Sequence, residues 1–224
     1  RVARDAVLEL VRSWRESLHE LADLPAYELP RYTVHRFAQS GAVGRVLAKA
    51  ERMSPMQARD ELTAPSPDGK PRFVAEPPKI RRVSDEEAAK VLESLAQYRK
   101  TVGPSREQVL DCYAPYDVAA KVAGTGSIGG RNYVVICAGN GPNDSLILQV
   151  KQALPSSYEL LGWAGGSPDH GGQRVAEGQH RMQTSVDPFV GWTTIDGAHY
   201  YVRQLSDHKA SIDPAERKRS SLLE

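Results

Sequence analysis

The first half of the chain is dominated by helical patterns of apolar residues. Apolar positions at helical spacing predict an amphipathic helix over residues 2–24, with Trp14 on the stripe that faces the core. Ser84 and Glu87 have the spacing of a capping box, which predicts that a second helix begins there and reaches about residue 100. A proline-rich connection, residues 63–83, lies between the two helical regions.

The second half of the chain alternates apolar and polar positions, which is typical of strands. The predicted strands are Val118–Val122, Tyr133–Cys137, Leu146–Lys151, Phe189–Ile195 and His199–Leu205. Asp196-Gly197 is a hairpin signal between the last two strands, and residues 173–184 have the pattern of a helix. The chain is therefore predicted to be α+β, with a mainly antiparallel five-stranded sheet, one or two packed helices, and a helical region before them.

These patterns divide the chain into three regions. Residues 1–83 form an incomplete helical region with its proline-rich connection, residues 84–212 form the α+β domain, and residues 213–224 form a tail. The helical pattern starts at the first residue without a cap, and the last two residues, Leu223-Glu224, resemble a cloning scar. We therefore expect a fragment of a longer protein, whose missing N-terminal and C-terminal segments are partners of this domain.

The amino-acid composition limits the kinds of partner that are expected for the chain. The formal net charge is +1, so no general electrostatic attraction to nucleic acid is expected. The chain has no apolar run of about 20 residues, and we expect no membrane partner. Its two cysteines, Cys112 and Cys137, are far apart and form no CxxC motif, which indicates a reducing, cytoplasmic location with both thiols buried as small apolar groups.

The candidate chemistry lies at a glycine-rich turn between the first two strands of the predicted sheet. The turn contains Gly124, Thr125, Gly126, Ser127 and Gly129. Glycines at such a turn let backbone N–H groups approach a ligand that side chains would block, as in phosphate-binding loops.

Lys151 ends the third strand, on the same face as Ile147 and Gln149. Its ammonium is therefore predicted to reach a phosphate group held by the turn. Two simpler interpretations remain open at this point: a solvated lysine at a strand end, and a tight turn whose glycines serve only the hairpin.

The order of these elements resembles the small lobe of protein-kinase-like phosphotransferases. The resemblance implies that Gly124, Gly126 and Gly129 cover the phosphates of ATP, bound with Mg²⁺, and that Lys151 contacts them. It also implies that a glutamate on the following helix, Glu177, pairs with Lys151. The alternative for Glu177 is an ion pair on its own helix, with Arg174 or Arg181. The hinge to a large lobe would lie at Arg203, Leu205 and Asp207.

A second resemblance is to a bacterial family of unknown function, DUF2252. It rests on Asp117-Val118-Ala119, Gly124-x-Gly126-Ser127-x-Gly129, Leu148-Gln149-Val150-Lys151, Gly172-Gln173-Arg174-Val175-x-Glu177 and Tyr200-Tyr201-Val202-Arg203-Gln204-Leu205. Fuller members carry Gly-Asp-x-His-x-x-Asn and Asp-Phe-Asp stretches upstream, which resemble the catalytic and metal-binding loops of aminoglycoside-type phosphotransferases. The resemblance implies a circularly permuted kinase-like fold.

This chain contains neither of those two stretches, and its six histidines show no metal-ligand spacing with the cysteines. We therefore expect a nucleotide-binding, phosphotransferase-like domain without a metal site of its own. ATP-dependent phosphate transfer would belong to the full-length protein, and the fragment alone would be inactive. The alternative is a noncatalytic, pseudokinase-like interaction or scaffold domain.

Overall fold

The computed structural model describes most of the chain in separate ranges. These are residues 2–25, 28, the single positions 44, 46, 48, 50 and 52, and then 55–122, 129–162, 168–183 and 185–205. The chain divides into two compact units, one of Arg1–Arg52 with His208–Glu224 and one of Met53–Asp207. The predicted boundary at residues 83 and 84 lies inside the second unit, which we call the sheet unit.

The first unit contains helix α1, Val2–Ala22. Its apolar stripe is exposed, with Leu10 at 68% and Trp14 at 62% of their full accessible area, so the prediction that Trp14 is a core residue was wrong. An amphipathic period shows which positions share a helix face, but it does not show what covers that face.

The sheet unit alternates short helices with strands. Its elements are α2 Pro55–Asp60, β1 Thr63–Ala64, β2 Arg72–Phe73, β3 Ile80–Arg82, α3 Asp85–Arg99, α4 Pro104–Leu110, β4 Ala114–Lys121, β5 Asn132–Ala138, β6 Ser145–Gln152, a 3₁₀ turn Glu159–Leu161, α5 Gly171–Met182, β7 Gly191–Ile195 and β8 Ala198–Gln204.

The α+β prediction is confirmed, but the main sheet has six strands and not five. Its order is β3-β4-β5-β6-β8-β7, and every neighbouring pair is antiparallel. The additional strand is β3, which pairs with β4 through Ile80 opposite Lys121. Three residues are too few for a strand period to be recognised in the sequence. The pair β1-β2 forms a separate two-stranded sheet.

Two local signals read from the sequence are confirmed. The side chain of Ser84 accepts a hydrogen bond from the backbone N–H of Glu87 and caps α3. Asp196 and Gly197 have φ values of +49° and +75° at the turn between β7 and β8, as a two-residue hairpin turn requires.

The two faces of the sheet are covered differently. On one face, which we call the α3 face, Val91, Leu95 and Tyr98 of α3 pack on the central strands. The sheet residues beneath them are Val118, Tyr133, Val135, Cys137, Leu146, Leu148, Val150, Tyr200 and Val202. The opposite face carries Lys151, and we call it the Lys151 face. Part of it, around Val134 and Ile136, packs with Phe73 and Ile80.

A buried carboxylate holds the β2–β3 segment on the Lys151 face. Asp117 is 4% exposed, and both of its oxygens accept hydrogen bonds from the Arg82 guanidinium at 2.8 Å. One of these oxygens also accepts the backbone N–H of Phe73 at 2.8 Å. This bidentate pair fixes geometry as well as charge, because the guanidinium fork matches a carboxylate.

The two cysteines differ in environment. Cys137 is 2% exposed in the core, and burial raises the pKa of its thiol to about 12. Cys112 is exposed just beyond α4, so the prediction of two buried thiols was wrong for this residue. The sequence around Cys112 ends a helix, and its short apolar pattern did not reveal which side faces solvent.

Candidate functional site

Only part of the predicted glycine-rich turn lies among the described residues. Gly124, Thr125, Gly126 and Ser127 lie outside them, and so does Asp207 of the predicted hinge. Gly129 is described, and it has a φ of +87°, a conformation that favours glycine.

Lys151 lies on β6 in a row that crosses three strands. The register pairs it with Asn132 of β5 and with Tyr201 of β8. Its side chain is half-buried, and the ammonium lies 5.5 Å from the centre of the Tyr201 ring, within the range of a cation–π contact. The neighbouring row contains Gln149 and Arg203, and the Arg203 guanidinium donates to Gln149 Oε1 at 3.2 Å.

A cavity of about 300 Å³ opens beside Lys151, and we call it the lysine pocket. It is lined by Gly130, Asn132, Lys151, Gln152, Ala153, Leu154, Pro155, Ser156, Ser157, Arg174, Val175 and Tyr201. Two of these side chains, Lys151 and Arg174, are cationic, and none of the described lining residues is acidic. The volume is at the lower end of the range of small-molecule sites.

Helix α5 brings Arg174 to this pocket. Its first turn approaches the sheet so closely that a Cβ atom on Gly172 would lie 2.1 Å from the carbonyl oxygen of Tyr200. A side chain at that position would force the helix away from β8. The Arg174 guanidinium donates to the carbonyl oxygen of Leu154 at 2.7 Å, which holds it against the loop after β6.

Two histidines fix the start of α5. His170 is the N-cap, and its Nδ1 accepts the backbone N–H of Gln173 at 3.2 Å. His199 Nδ1 accepts the backbone N–H of Gly171 at 3.1 Å, and the two imidazole rings stack with centroids 4.0 Å apart. Burial, and then the neighbouring His199, lower the pKa of His170. The His170 ring therefore acts here as a neutral acceptor.

The Glu177 side chain contacts residues of its own helix, α5. Its carboxylate accepts from the Gln173 amide at 2.7 Å and pairs with Arg181 at 3.2 Å. No ion pair joins Glu177 to Lys151, although the structure describes both residues. Of the alternatives given for Glu177, the structure therefore has the ion pair on its own helix, with Arg181 as the partner. A ligand-binding role for Glu177 stays a prediction.

The described hinge candidates lie at the end of β8. Arg203 is on the Lys151 face, and Leu205 is 6% exposed in the core beneath that face. The backbone N–H of Leu205 donates to the carbonyl oxygen of Ile147, which continues the pairing with β6. A hinge function for these residues stays a prediction.

A larger cavity of about 640 Å³ lies elsewhere on the sheet unit, between the β1-β2 pair and the loop 139–144. Its two cations are already engaged. Arg59 donates to the carbonyl oxygen of Pro142 at 2.6 Å, and the Lys70 ammonium lies 5.4 Å from the centre of the Tyr116 ring.

The Arg174 guanidinium and the Lys151 ammonium of the lysine pocket are engaged in the same ways. The two cavities differ in their acidic residues, because Asp60 and Asp144 line the larger cavity and no acidic residue is among the described lining residues of the lysine pocket. The lysine pocket is therefore the better candidate for an anionic ligand.

Within the described ranges, no three histidine, cysteine, aspartate or glutamate side chains gather as metal ligands would. None of the helices that the structure describes combines the length and apolar character needed to cross a bilayer.

Sequence reasoning missed the second cation of the pocket. Arg174 was considered only as a partner of Glu177 on the same helix. The sequence does show that Arg174 lies between Gly172 and Ala176, the two residues of α5 that are buried. Leu154 and Tyr201 line the same pocket as Arg174 because distant segments of the chain come into contact. A local sequence pattern does not predict such contacts.

Comparison with known proteins gives a family and no activity. The model of a family described as an uncharacterised protein conserved in bacteria, DUF2252, matches residues 1–224. No curated protein matches the chain, and no solved structure matches it.

Proposed function

We propose that the chain, which belongs to the bacterial DUF2252 family, binds a phosphate group of a nucleotide in the lysine pocket. The observation that carries the proposal is that Lys151 from β6 and Arg174 from α5 line the same cavity beside the end of the glycine turn. The binding domain would serve a phosphotransferase-like protein that uses ATP with Mg²⁺.

Charge and geometry favour a phosphate over a neutral ligand. An ammonium attracts phosphate oxygens as a point charge, and a guanidinium can donate two parallel hydrogen bonds to them. Lys151 is half-buried against the Tyr201 ring, so its charge is less screened than that of a fully solvated lysine. Ser156, Ser157 and Asn132 add polar groups to the lining.

The arrangement of elements gives further support to the kinase-like part of the proposal. The run from β4 to β8 has the order that the resemblance to the kinase small lobe implies, with glycine-rich sequence after the first strand, a lysine on the third, a helix, and two further strands. Helix α5 also contributes Val175 to the pocket that Lys151 lines. In this proposal Arg174 takes the place beside Lys151 that the resemblance gave to Glu177.

Chemistry beyond binding would need groups from outside this chain. The sequence lacks the Gly-Asp-x-His-x-x-Asn and Asp-Phe-Asp stretches, and the described lining of the pocket offers no carboxylate to act as a base or to hold Mg²⁺. Accordingly the chain would bind nucleotide without transferring phosphate.

One observation favours a second candidate function, a noncatalytic interaction or scaffold domain. In an active kinase-like lobe the strand lysine pairs with the helix glutamate, whereas Glu177 pairs with Arg181 and Lys151 contacts Tyr201. A pseudokinase-like protein could retain the sheet as a frame without that pair.

Replacing Lys151 with methionine separates the two candidates. Methionine keeps an unbranched apolar side chain and removes the charge. At an ATP concentration about 100 times Kd, binding adds about 2.7 kcal/mol to the free energy of unfolding, a rise in Tm of about 5–10 °C for a chain of this size. We expect Lys151→Met to lose most of that rise.

The matched control is Lys100→Met, which removes an exposed lysine from the end of α3 and should keep the full rise. If the unmodified chain shows no rise with ATP, with or without Mg²⁺, the nucleotide proposal is wrong and the scaffold candidate is preferred.

A further inference from the structure

A buried hydroxyl on the α3 face has no hydrogen-bond partner. Tyr200 is fully buried, and its hydroxyl makes no hydrogen bond to any residue that the structure describes. Buried polar groups are nearly always paired, because an unpaired one gives up its hydrogen bonds to water and gains none in return. An unpaired buried tyrosine hydroxyl is therefore a candidate hydrogen-bond donor for a ligand.

The neighbours of this hydroxyl are polar. The ring of Tyr133 lies 6.1 Å from that of Tyr200, centroid to centroid, and the Tyr133 hydroxyl donates to Glu87 Oε1 at 2.8 Å. Burial raises the pKa of Tyr200, while Arg131 and Tyr133 lie close enough to oppose that rise. The Tyr200 hydroxyl therefore keeps its proton at neutral pH and can donate it to an acceptor.

A cavity of about 320 Å³ adjoins this cluster. Both Tyr133 and Arg131 line it, together with three further charged side chains, Arg81, Glu87 and Lys121. Three cations against one carboxylate favour an anionic occupant, since a cationic ligand would meet repulsion from all three. The single carboxylate, that of Glu87, already accepts the Tyr133 hydroxyl.

We infer that Arg131 and Tyr200, with Tyr133 and Glu87 beside them, form a second site, the tyrosine site, for an anionic group, the phosphate or carboxylate of a small molecule. The Tyr200 hydroxyl and the Arg131 guanidinium donate to it. Arg131 is exposed, so its side chain can move to admit the group.

Tyr200 and Tyr201 are consecutive on β8 and point to opposite faces. The two cavities share Gly130 and Asn132 in their linings, but the charged groups of this site lie apart from Lys151 and Arg174, so the inference does not rest on the lysine pocket.

Calorimetric titration of the 224-residue chain with inorganic phosphate, and separately with acetate, tests the inference at low ionic strength. Tyr200→Phe removes only the unpaired hydroxyl and should leave the fold intact, which its Tm checks. We expect Tyr200→Phe to weaken binding of the preferred anion about tenfold, the effect of losing one charge-assisted hydrogen bond, and Arg131→Met to weaken it at least as much.

The controls lie on the opposite face. Tyr201→Phe and Lys151→Met should leave the Tyr200-dependent binding unchanged, whatever they do to nucleotide binding. Tighter binding of phosphate or of acetate identifies the group that the site takes. The inference is overturned if neither anion binds the unmodified chain, if Tyr200→Phe binds both as the unmodified chain does, or if Lys151→Met abolishes all binding.

Discussion

At the scale of single residues, His170 connects protonation to structure. Its Nδ1 accepts the backbone N–H of Gln173 at the start of α5, and its Nε2 lies 3.1 Å from the Thr194 hydroxyl. Because Nδ1 accepts, the neutral ring carries its hydrogen on Nε2, which donates to the Thr194 hydroxyl. A protonated imidazole carries hydrogen on both nitrogens and can no longer accept the Gln173 N–H. Burial and the stacked ring of His199 lower the pKa of His170 in the folded chain. The folded state therefore takes up this proton less readily than the unfolded state.

The sign of the pH effect follows from that difference. Unfolded His170 binds a proton near pH 6.5, whereas folded His170 does so only at a lower pH. Its contribution to stability is thus complete above about pH 6.5 and is lost as the pH falls towards the lowered pKa. We expect His170→Asn, which keeps an N-cap acceptor and does not titrate in this range, to lose less stability between about pH 7 and pH 5.

Urea unfolding of both proteins at several pH values measures this difference. The other histidines are present in both proteins, so the comparison reports on the substitution at residue 170. Parallel curves of unfolding free energy against pH would show that protonation of His170 is not coupled to folding.

At the scale of elements, the close contact between α5 and β8 places Arg174 in the lysine pocket. The contact depends on a glycine, because a Cβ on Gly172 would lie 2.1 Å from a backbone carbonyl oxygen. Gly178, on the same helix, has open space in the direction of a Cβ. Both glycines thus lie in α5, but Gly172 is packed against β8 and Gly178 faces open space.

Alanine substitutions at these two positions should have opposite effects. Gly172→Ala is expected to destabilise the chain by about 1–3 kcal/mol through overpacking, and to weaken nucleotide binding because α5 moves. Gly178→Ala is expected to stabilise it by about 0.5–1 kcal/mol through helix propensity. Denaturant unfolding measures both effects, and equal effects of the two substitutions would contradict the docking described for α5.

Local sequence signals predicted the elements better than the contacts between them. The Ser84 cap and the Asp196-Gly197 hairpin were predictable because each depends on a few consecutive residues. Strand β3 was missed because its pairing with β4 joins Ile80 to Lys121, far apart in the chain. Arg174 as a pocket residue was missed for the same reason, since its neighbours come from three separate elements.

At the scale of the whole molecule, the sheet unit presents two polar regions, one on each face at the glycine-turn end of the sheet. Lys151 and Arg174 line the region on the Lys151 face, and Arg131 and Tyr200 belong to the region on the α3 face. Two apolar clusters, one beneath α3 and one around Val134 and Ile136, pack the centre of the sheet. The sheet unit thus has a packed centre that holds the strands in register and a polar end that carries the two proposed sites.

The most direct test of the lysine pocket is a crystal structure of the chain with a non-hydrolysable ATP analogue. We predict a phosphate oxygen within about 3 Å of both the Lys151 ammonium and the Arg174 guanidinium, the distance of a charge-assisted hydrogen bond. A nucleotide bound elsewhere, for example in the cavity beside β1 and β2, or bound with both of these cations remote from its phosphates, would contradict the proposal.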